Sequence, residues 1–163
     1  MTLVRQLIAA ATAAALVVPL GTFAQTVLKA ADVHPPGYPA AVATESMGKK
    51  FEEATKGKYK MQMYPSSVLG NEKTMIEQTH VGAIQVLRTS LGPVGAVVPE
   101  VNVFNMPFVF RNEAHMRKVI DGPIGQEILD AITASPARLV APGFMDSGSR
   151  SLHTKKAGRK MED

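Results

Sequence analysis

Apolar runs that end at a polar or basic residue recur along this chain, and they constrain its fold more than any other feature. Residues 83–87 run into Arg88, and a longer run over residues 138–145 leads through Gly148-Ser149 to Arg150. In an open α/β sheet, the carboxyl ends of the strands face the crevice that binds ligands. Arg88 and Arg150 are therefore predicted to lie where strands open onto such a crevice.

The spacing of the apolar residues predicts strands that alternate with helices. Alternation or a short apolar run marks each strand, and steps of three and four residues mark each helix. Strands are predicted over residues 26–33, 58–64, 83–87 and 138–145, and helices over residues 40–55, 71–82, 112–122 and 124–135. This order indicates an α/β domain with a mostly parallel sheet. Residues 101–110, with Pro107 inside an apolar run, are predicted to be bent or irregular.

The helices can be described in more detail at their starts and along one face. Asn71 and Asn112 are expected to cap helices, because a short polar side chain accepts hydrogen bonds from the first backbone amides. The buried face of the first helix is predicted from residues that recur at steps of four and three: Ala40, Thr44, Met47, Phe51 and Ala54. The charged residues of this helix lie off that stripe and are expected to face water.

Composition excludes several classes of protein. The 163 residues suffice for about one domain, and 45% hydrophobic with 20% charged residues is typical of a globular chain. The absence of cysteine excludes disulfides and thiolate metal sites. The histidines are scattered, and no glycine-rich nucleotide loop, zinc-protease motif or nucleophile elbow is present, so neither a cofactor, a metal nor a catalytic group is predicted.

The first residues have the pattern of an export signal. Arg5 precedes an apolar run over residues 7–18, Pro19 breaks the run, and Thr22-Phe23-Ala24 offers small residues where a signal peptidase cuts. The run is shorter than the roughly 20 residues that cross a bilayer, so a cleaved signal over residues 1–24 is favoured over an anchor. A periplasmic location follows. Removal of residues 1–24 takes away Arg5 and lowers the net charge from +4 to +3, a mild positive balance that suits acidic ligands. An exported protein is not expected to bind nucleic acid.

The two arginines have alternative roles that the residues alone leave open. The planar fork of Arg150 could hold a carboxylate, or the side chain could pair with a helix end at the surface. Arg88 interrupts an apolar strand end, and a buried arginine needs a partner. That partner could be a ligand acid, which we favour slightly, or a structural acid such as Glu72 or Glu100.

Three further residues are candidates for the site. His34 is predicted at the carboxyl end of the first strand, in a proline-rich loop. Ser90 could donate a hydrogen bond to a ligand oxygen, although turn chemistry explains it equally well. Glu72 lies in the first turn of a helix, where an acid suits the helix dipole, and we include it among the candidate ligand-binding residues.

Several short motifs resemble the solute-binding subunit of TRAP (tripartite ATP-independent periplasmic) transporters. The most specific are Tyr64-Pro65-Ser66-Ser67-x-Leu69-Gly70, Ile76-Glu77-Gln78, Gly82-Ala83 and Pro107-Phe108-Val109. The resemblance implies two α/β lobes with an organic acid held between them and delivered to TRAP membrane subunits. Residues 34–39 resemble the first-strand loop of a subgroup, which together with Arg88 suggests a sugar acid such as a hexuronate.

The resemblance also implies how the chain is divided. Residues 25–145 correspond to the first lobe and residues 146–163 to the start of the crossover, so the chain is expected to be a C-terminally truncated member. Arg150 matches the family's ligand-contacting glycine-x-arginine, whereas Ala157-Gly158 stands where a proline is usual. The alternatives are a secreted carbohydrate-acid hydrolase or lyase that uses His34 or Glu72, and a truncated remnant that binds nothing.

The export pattern predicts a mature N-terminus at Gln25. Cleavage after Ala24 follows from the small residues that end the apolar run. N-terminal sequencing of periplasmic material would test this cleavage, and a retained Met1 or Thr2 would contradict it.

Overall fold

The computed structural model describes residues 24–148, which form a small parallel sheet, the helices that flank it and a helical second half. The elements in chain order are β1 (Thr26–Ala31), α1 (Pro39–Ala54), β2 (Tyr59–Tyr64), α2 (Glu72–His80), β3 (Val86–Leu87), α3 (Leu91–Val94), a 3-10 helix (Pro99–Asn105), α4 (Glu113–Ile120) and α5 (Pro123–Ala134). The predicted α/β class is confirmed. Residues 101–110, predicted to be bent or irregular, are so only after Asn105, because residues 101–105 belong to the 3-10 helix.

The sheet has the strand order β2-β1-β3, and both pairings are parallel. β1 pairs with β2 along its whole length, but β3 joins only at Ala30 and Ala31, the carboxyl end of β1. The chain thus moves to one side of β1 and then crosses back to the other. In sheets with this order, the ligand crevice lies beyond the carboxyl ends of β1 and β3, where the direction of winding reverses.

Local side-chain chemistry starts two of the helices. The Asn71 side chain accepts a hydrogen bond of 2.9 Å from the backbone N–H of Thr74. The Asn112 side chain accepts one of 2.8 Å from the backbone N–H of His115. Both predicted caps are confirmed, and each satisfies an amide that has no partner within its helix.

Buried apolar side chains form two clusters that meet at α2. One cluster joins α2 to the helical half through Ile76, Val94, Val98, Val101, Ile128 and Ile132. The other joins α2 to the sheet through Ala31, Met75 and Ile84. Because the neighbours Met75 and Ile76 enter different clusters, α2 ties the sheet to the rest of the lobe.

The predicted buried face of α1 is wrong in part. Ala40 and Thr44 are buried as expected, but Met47 and Phe51 are 40% and 39% exposed. The helix instead buries small residues, including Gly48, where an added Cβ would lie 2.9 Å from the Cβ of Met61 on β2. This close approach turns the larger side chains away from the sheet.

Two of the predicted strands also differ from the structure. β3 begins at Val86 rather than residue 83, because the backbone N–H groups of Ala83 and Ile84 donate to the Gln78 carbonyl at the end of α2. Residues 138–145 form no strand. Leu139, Ala141 and Phe144 pack on the first cluster, and the backbone N–H of Ala141 donates to the Thr133 hydroxyl over 3.2 Å. The apolar pattern of this segment reflects contact with the core and not pairing with another strand.

Within residues 24–148, none of the helices is long and apolar enough to cross a membrane.

The start of α5 predicts a steric test of the fold. An added Cβ at Gly125 would collide with the carbonyl oxygen of Ile120. We expect Gly125→Ala to lower the free energy of unfolding by about 1–3 kcal/mol through overpacking, although alanine has the higher helix propensity. Gly143→Ala is the matched control, since nothing lies within 4 Å of its Cβ. Urea denaturation would measure both, and a stabilised Gly125→Ala protein would refute the packing argument.

Candidate ligand-binding edge of the sheet

The carboxyl ends of β1 and β3 bring an acid, a histidine and an arginine together. Asp32 directly follows β1, and Arg88 directly follows β3. The backbone N–H of Arg88 donates to the Ala31 carbonyl over 3.0 Å, which extends the pairing of the two strands to this point. His34 follows two residues after Asp32. Because the sheet is parallel, these side chains lie together at the carboxyl edge of the strands, where the ligand crevice is predicted.

Arg88 is held on both sides of its guanidinium. Its Nη1 lies 2.9 Å from Nδ1 of His34 and 3.8 Å from Oδ1 of Asp32. Its Nη2 donates to the Ser147 hydroxyl over 2.6 Å. The side chain is only 9% exposed. Of the described acids, Asp32 rather than Glu72 or Glu100 pairs with Arg88, so the structural partner differs from those that the sequence suggested.

His34 lies between the Asp32 carboxylate and the Arg88 guanidinium, and its tautomer decides with which of them Nδ1 forms a hydrogen bond. Nδ1 lies 2.8 Å from Oδ1 of Asp32 and 2.9 Å from Nη1 of Arg88. A hydrogen on Nδ1 donates to the carboxylate, whereas a lone pair on Nδ1 accepts from the guanidinium. The ring stacks on Tyr38 with centroids 3.9 Å apart and planes 15° from parallel. Stacking fixes the plane of the ring, so the choice of tautomer leaves the ring in place.

Sequence reasoning missed Asp32, the most buried member of the group. The residue is 0% exposed, and its Oδ1 also accepts from the backbone N–H of His34 over 2.9 Å. Its Oδ2 has no hydrogen-bond partner among residues 24–148. The available signal was an acid immediately after an apolar strand, at the same end as His34. One acid forms no motif, so that signal was weak.

Glu72 and Ser90 form a second contact beside this group. Oε1 of Glu72 accepts a hydrogen bond of 2.7 Å from the backbone N–H of Ser90. Ser90 stands at the N-cap of α3, but its hydroxyl makes no capping hydrogen bond. The Glu72 carboxylate thus fixes the backbone after β3, and the Ser90 hydroxyl is not committed to the helix.

Arg150 lies outside the described residues, but the segment before it reaches the same edge. Ser147 contacts Arg88, and the backbone N–H of Gly148 donates to Oδ1 of Asp146 over 2.8 Å. Gly148 has a φ of +84°, a conformation that glycine adopts without strain. Within the described part of the chain, no group of three or more histidines and acids is arranged to hold a metal ion.

Comparison with known proteins decides the family. Residues 30–163 match the family described as bacterial extracellular solute-binding protein, family 7. The chain belongs to this family. A solute-binding protein of Chromohalobacter salexigens is 37% identical over 122 residues, which are 75% of this chain and 36% of the relative. The C4-dicarboxylate-binding periplasmic protein of Rhodobacter capsulatus is 30% identical over 77% of this chain and 38% of its own length.

Solved structures of TRAP periplasmic solute-binding proteins share the fold. The protein of Pseudomonas putida F1, solved with D-glucuronate, superposes with a TM-score of 0.81 and 58% identity over 83% of this chain and 44% of its own. The protein of Citrobacter koseri, also with D-glucuronate, gives a TM-score of 0.81 and 51% identity over 83% of this chain and 46% of its own. The predicted resemblance to the TRAP solute-binding fold is therefore confirmed, and the chain spans less than half the length of these relatives.

The buried carboxylate predicts a stability test. Asp32→Asn removes the negative charge that faces Arg88 and replaces the Oδ1 and Oδ2 pair by an amide. We expect the free energy of unfolding to fall by about 1–3 kcal/mol, the cost of unsatisfied buried hydrogen-bonding groups.

Glu127→Gln makes the same chemical change at an exposed position of α5 and serves as the control. Urea denaturation would measure the free energy of unfolding of both variants. Equal values would show that Asp32 does not hold this edge of the sheet together.

Proposed function

We propose that the protein is an exported solute-binding protein that captures a sugar acid of the hexuronate class for a TRAP transporter. The observation that carries the proposal is the Arg88 guanidinium, 9% exposed and fixed at the switch point of the sheet by His34 and Ser147. An arginine fork matches a carboxylate, and its fixed orientation lowers the entropy lost on binding. The D-glucuronate bound by the relatives with 58% and 51% identity supports this ligand class.

The surrounding groups suit the hydroxyls of a sugar. The His34 ring, the Ser90 hydroxyl and the Glu72 carboxylate supply donors and acceptors within the loops that follow β1 and β3 and at the start of α2. Each can exchange hydrogen bonds with a ring hydroxyl. Arg150, two residues beyond Gly148, is proposed as a second carboxylate ligand on the strength of the family motif. Arg150→Lys is accordingly expected to weaken binding and leave folding unchanged.

Binding rather than turnover is the proposed activity. The relatives described above are named as binding proteins, and none is named as a hydrolase or a lyase. The proposed route is export with removal of residues 1–24, capture of the acid in the periplasm and release to the membrane subunits. Incubation of the protein with acidic sugars, followed by product analysis, tests the absence of turnover, and any accumulating product would overturn it.

Titration by nuclear magnetic resonance tests the ligand class directly. D-glucuronate added to the ¹⁵N-labelled protein is expected to shift the backbone signals of His34, Arg88 and Ser90 in a saturable way. D-glucose is the matched control, because it keeps the ring and lacks the carboxylate. The method detects millimolar affinities, so a weakly binding chain remains visible. Equal shifts with both sugars, or none with either, would contradict the proposal.

A conservative variant tests the role of Arg88. Arg88→Lys keeps the positive charge but loses the planar fork, so we expect the affinity for D-glucuronate to fall by about 1.5–3 kcal/mol, roughly 10- to 150-fold. Arg111→Lys makes the same exchange at an exposed position and is expected to bind normally. A lower melting temperature with unchanged affinity would assign Arg88 to the structure alone and remove it from the site.

A further inference from the structure

The segment Asp146-Ser147-Gly148 is held from two directions. On one side, the Ser147 hydroxyl accepts the hydrogen bond from Nη2 of Arg88 over 2.6 Å. On the other side, Oδ2 of Asp146 lies 2.7 Å from Nη2 of Arg117 on α4. The Asp146 side chain is 19% exposed and that of Arg117 is 53% exposed, so the ion pair is open to water on the arginine side. The segment therefore connects α4 to the ligand-binding edge.

Arg117 is itself fixed on its helix. Its Nε donates to Oε1 of Glu113 over 3.0 Å, one turn earlier on α4. The hydrogen bond to Glu113, and then the charge of Asp146, raise the pKa of the Arg117 guanidinium above its ordinary value. The side chain thus remains cationic throughout the pH range in which the protein is studied.

We infer that Arg117 is a positioning residue for Arg88, acting through Asp146 and Ser147. Arg117 binds one oxygen of the Asp146 carboxylate, and the other oxygen accepts from the backbone N–H of Gly148 over 2.8 Å. Ser147 lies between these two anchored residues, so its hydroxyl is held at a fixed place. That hydroxyl in turn orients one arm of the Arg88 fork.

This role lies outside the proposed site, because α4 supplies none of the proposed ligand contacts. Arg117 is 53% exposed, and an exposed ion pair contributes little to global stability. Its effect should therefore appear locally, in the order of residues 146–148 and of the Arg88 side chain.

Nuclear magnetic resonance of the ligand-free protein tests the inference without reference to function. In Arg117→Met, the guanidinium signals of Arg88 are expected to shift, and hydrogen exchange at the Gly148 amide is expected to accelerate about two- to fivefold, the range that corresponds to a partly exposed ion pair. Glu113→Gln is the control, because it removes the negative charge beside Arg117 but keeps a side-chain oxygen that can accept from Nε, and it leaves Asp146 in place. It is expected to leave both signals unchanged.

A further variant and a ligand titration distinguish this inference from a general structural role of Arg117 and from the proposed function. Arg117→Lys, which keeps the charge, is expected to restore part of the Gly148 protection. Unchanged Arg88 signals in Arg117→Met, or equal changes in Glu113→Gln, would overturn the inference. A D-glucuronate titration of Arg117→Met rests on the proposed function and is expected to show a two- to fivefold loss of affinity. If the unsubstituted protein does not bind D-glucuronate, the proposed function fails while the ligand-free spectra still decide the role of Arg117.

Discussion

A carboxylate that is completely removed from water lies at the centre of this structure. Asp32 directly follows β1 and has no exposed surface. Burial of an isolated charge at such a place would cost much of the free energy of folding. The cost is offset by the guanidinium of Arg88 and by the hydrogen bond from the backbone N–H of His34. Further backbone contacts cover the residue, since the N–H of Asp32 donates to the Tyr64 carbonyl and its own carbonyl accepts from Ser67. The loops after all strands of the described sheet thus meet around one acid.

Stability alone does not explain why a sheet would bury this group. A buried ion pair can often be replaced by apolar side chains without loss of stability, whereas removal of one partner is strongly destabilising. The arrangement does fix the direction of Arg88, whose guanidinium is held by His34 and Ser147 before any ligand arrives. Preorganisation of this kind saves the entropy of ordering a long side chain on binding. The buried acid is therefore better understood as a support for Arg88 than as a source of folding energy.

The sequence predicted what depends on neighbouring residues and missed what depends on distant ones. The Asn71 and Asn112 caps and the positions of the four predicted helices follow from local chemistry and are as expected, whereas α3 and the 3-10 helix were not predicted. The buried face of α1 was misplaced because Gly48 approaches Met61, a residue of another element. Residues 138–145 form no strand although their apolar pattern predicts one, because burial and strand pairing leave the same pattern in the sequence.

The residues of the candidate site show the same difference between local and distant determinants. Arg88 and His34 were predicted because a charge and a ring stood at apolar strand ends, and parallel strands bring such ends together. Asp32 was missed because its importance lies in complete burial and in contacts with Arg88, which is 56 positions away in the sequence. Site membership itself remains a prediction for each of these residues.

The two supports of Arg88 differ in strength, and that difference has a physical consequence. On one side, Asp32 and His34 are buried or half-buried, and their contacts are costly to break. On the other side, Ser147 depends on an ion pair with Arg117, which is half in water and is individually weak. The hydrogen bond from Arg88 to Ser147 is therefore the weaker of the two supports, and the contacts with Asp32 and His34 are the stronger one. The edge of the sheet thus holds Arg88 mainly by buried contacts and adds a second, solvent-exposed support that depends on Arg117.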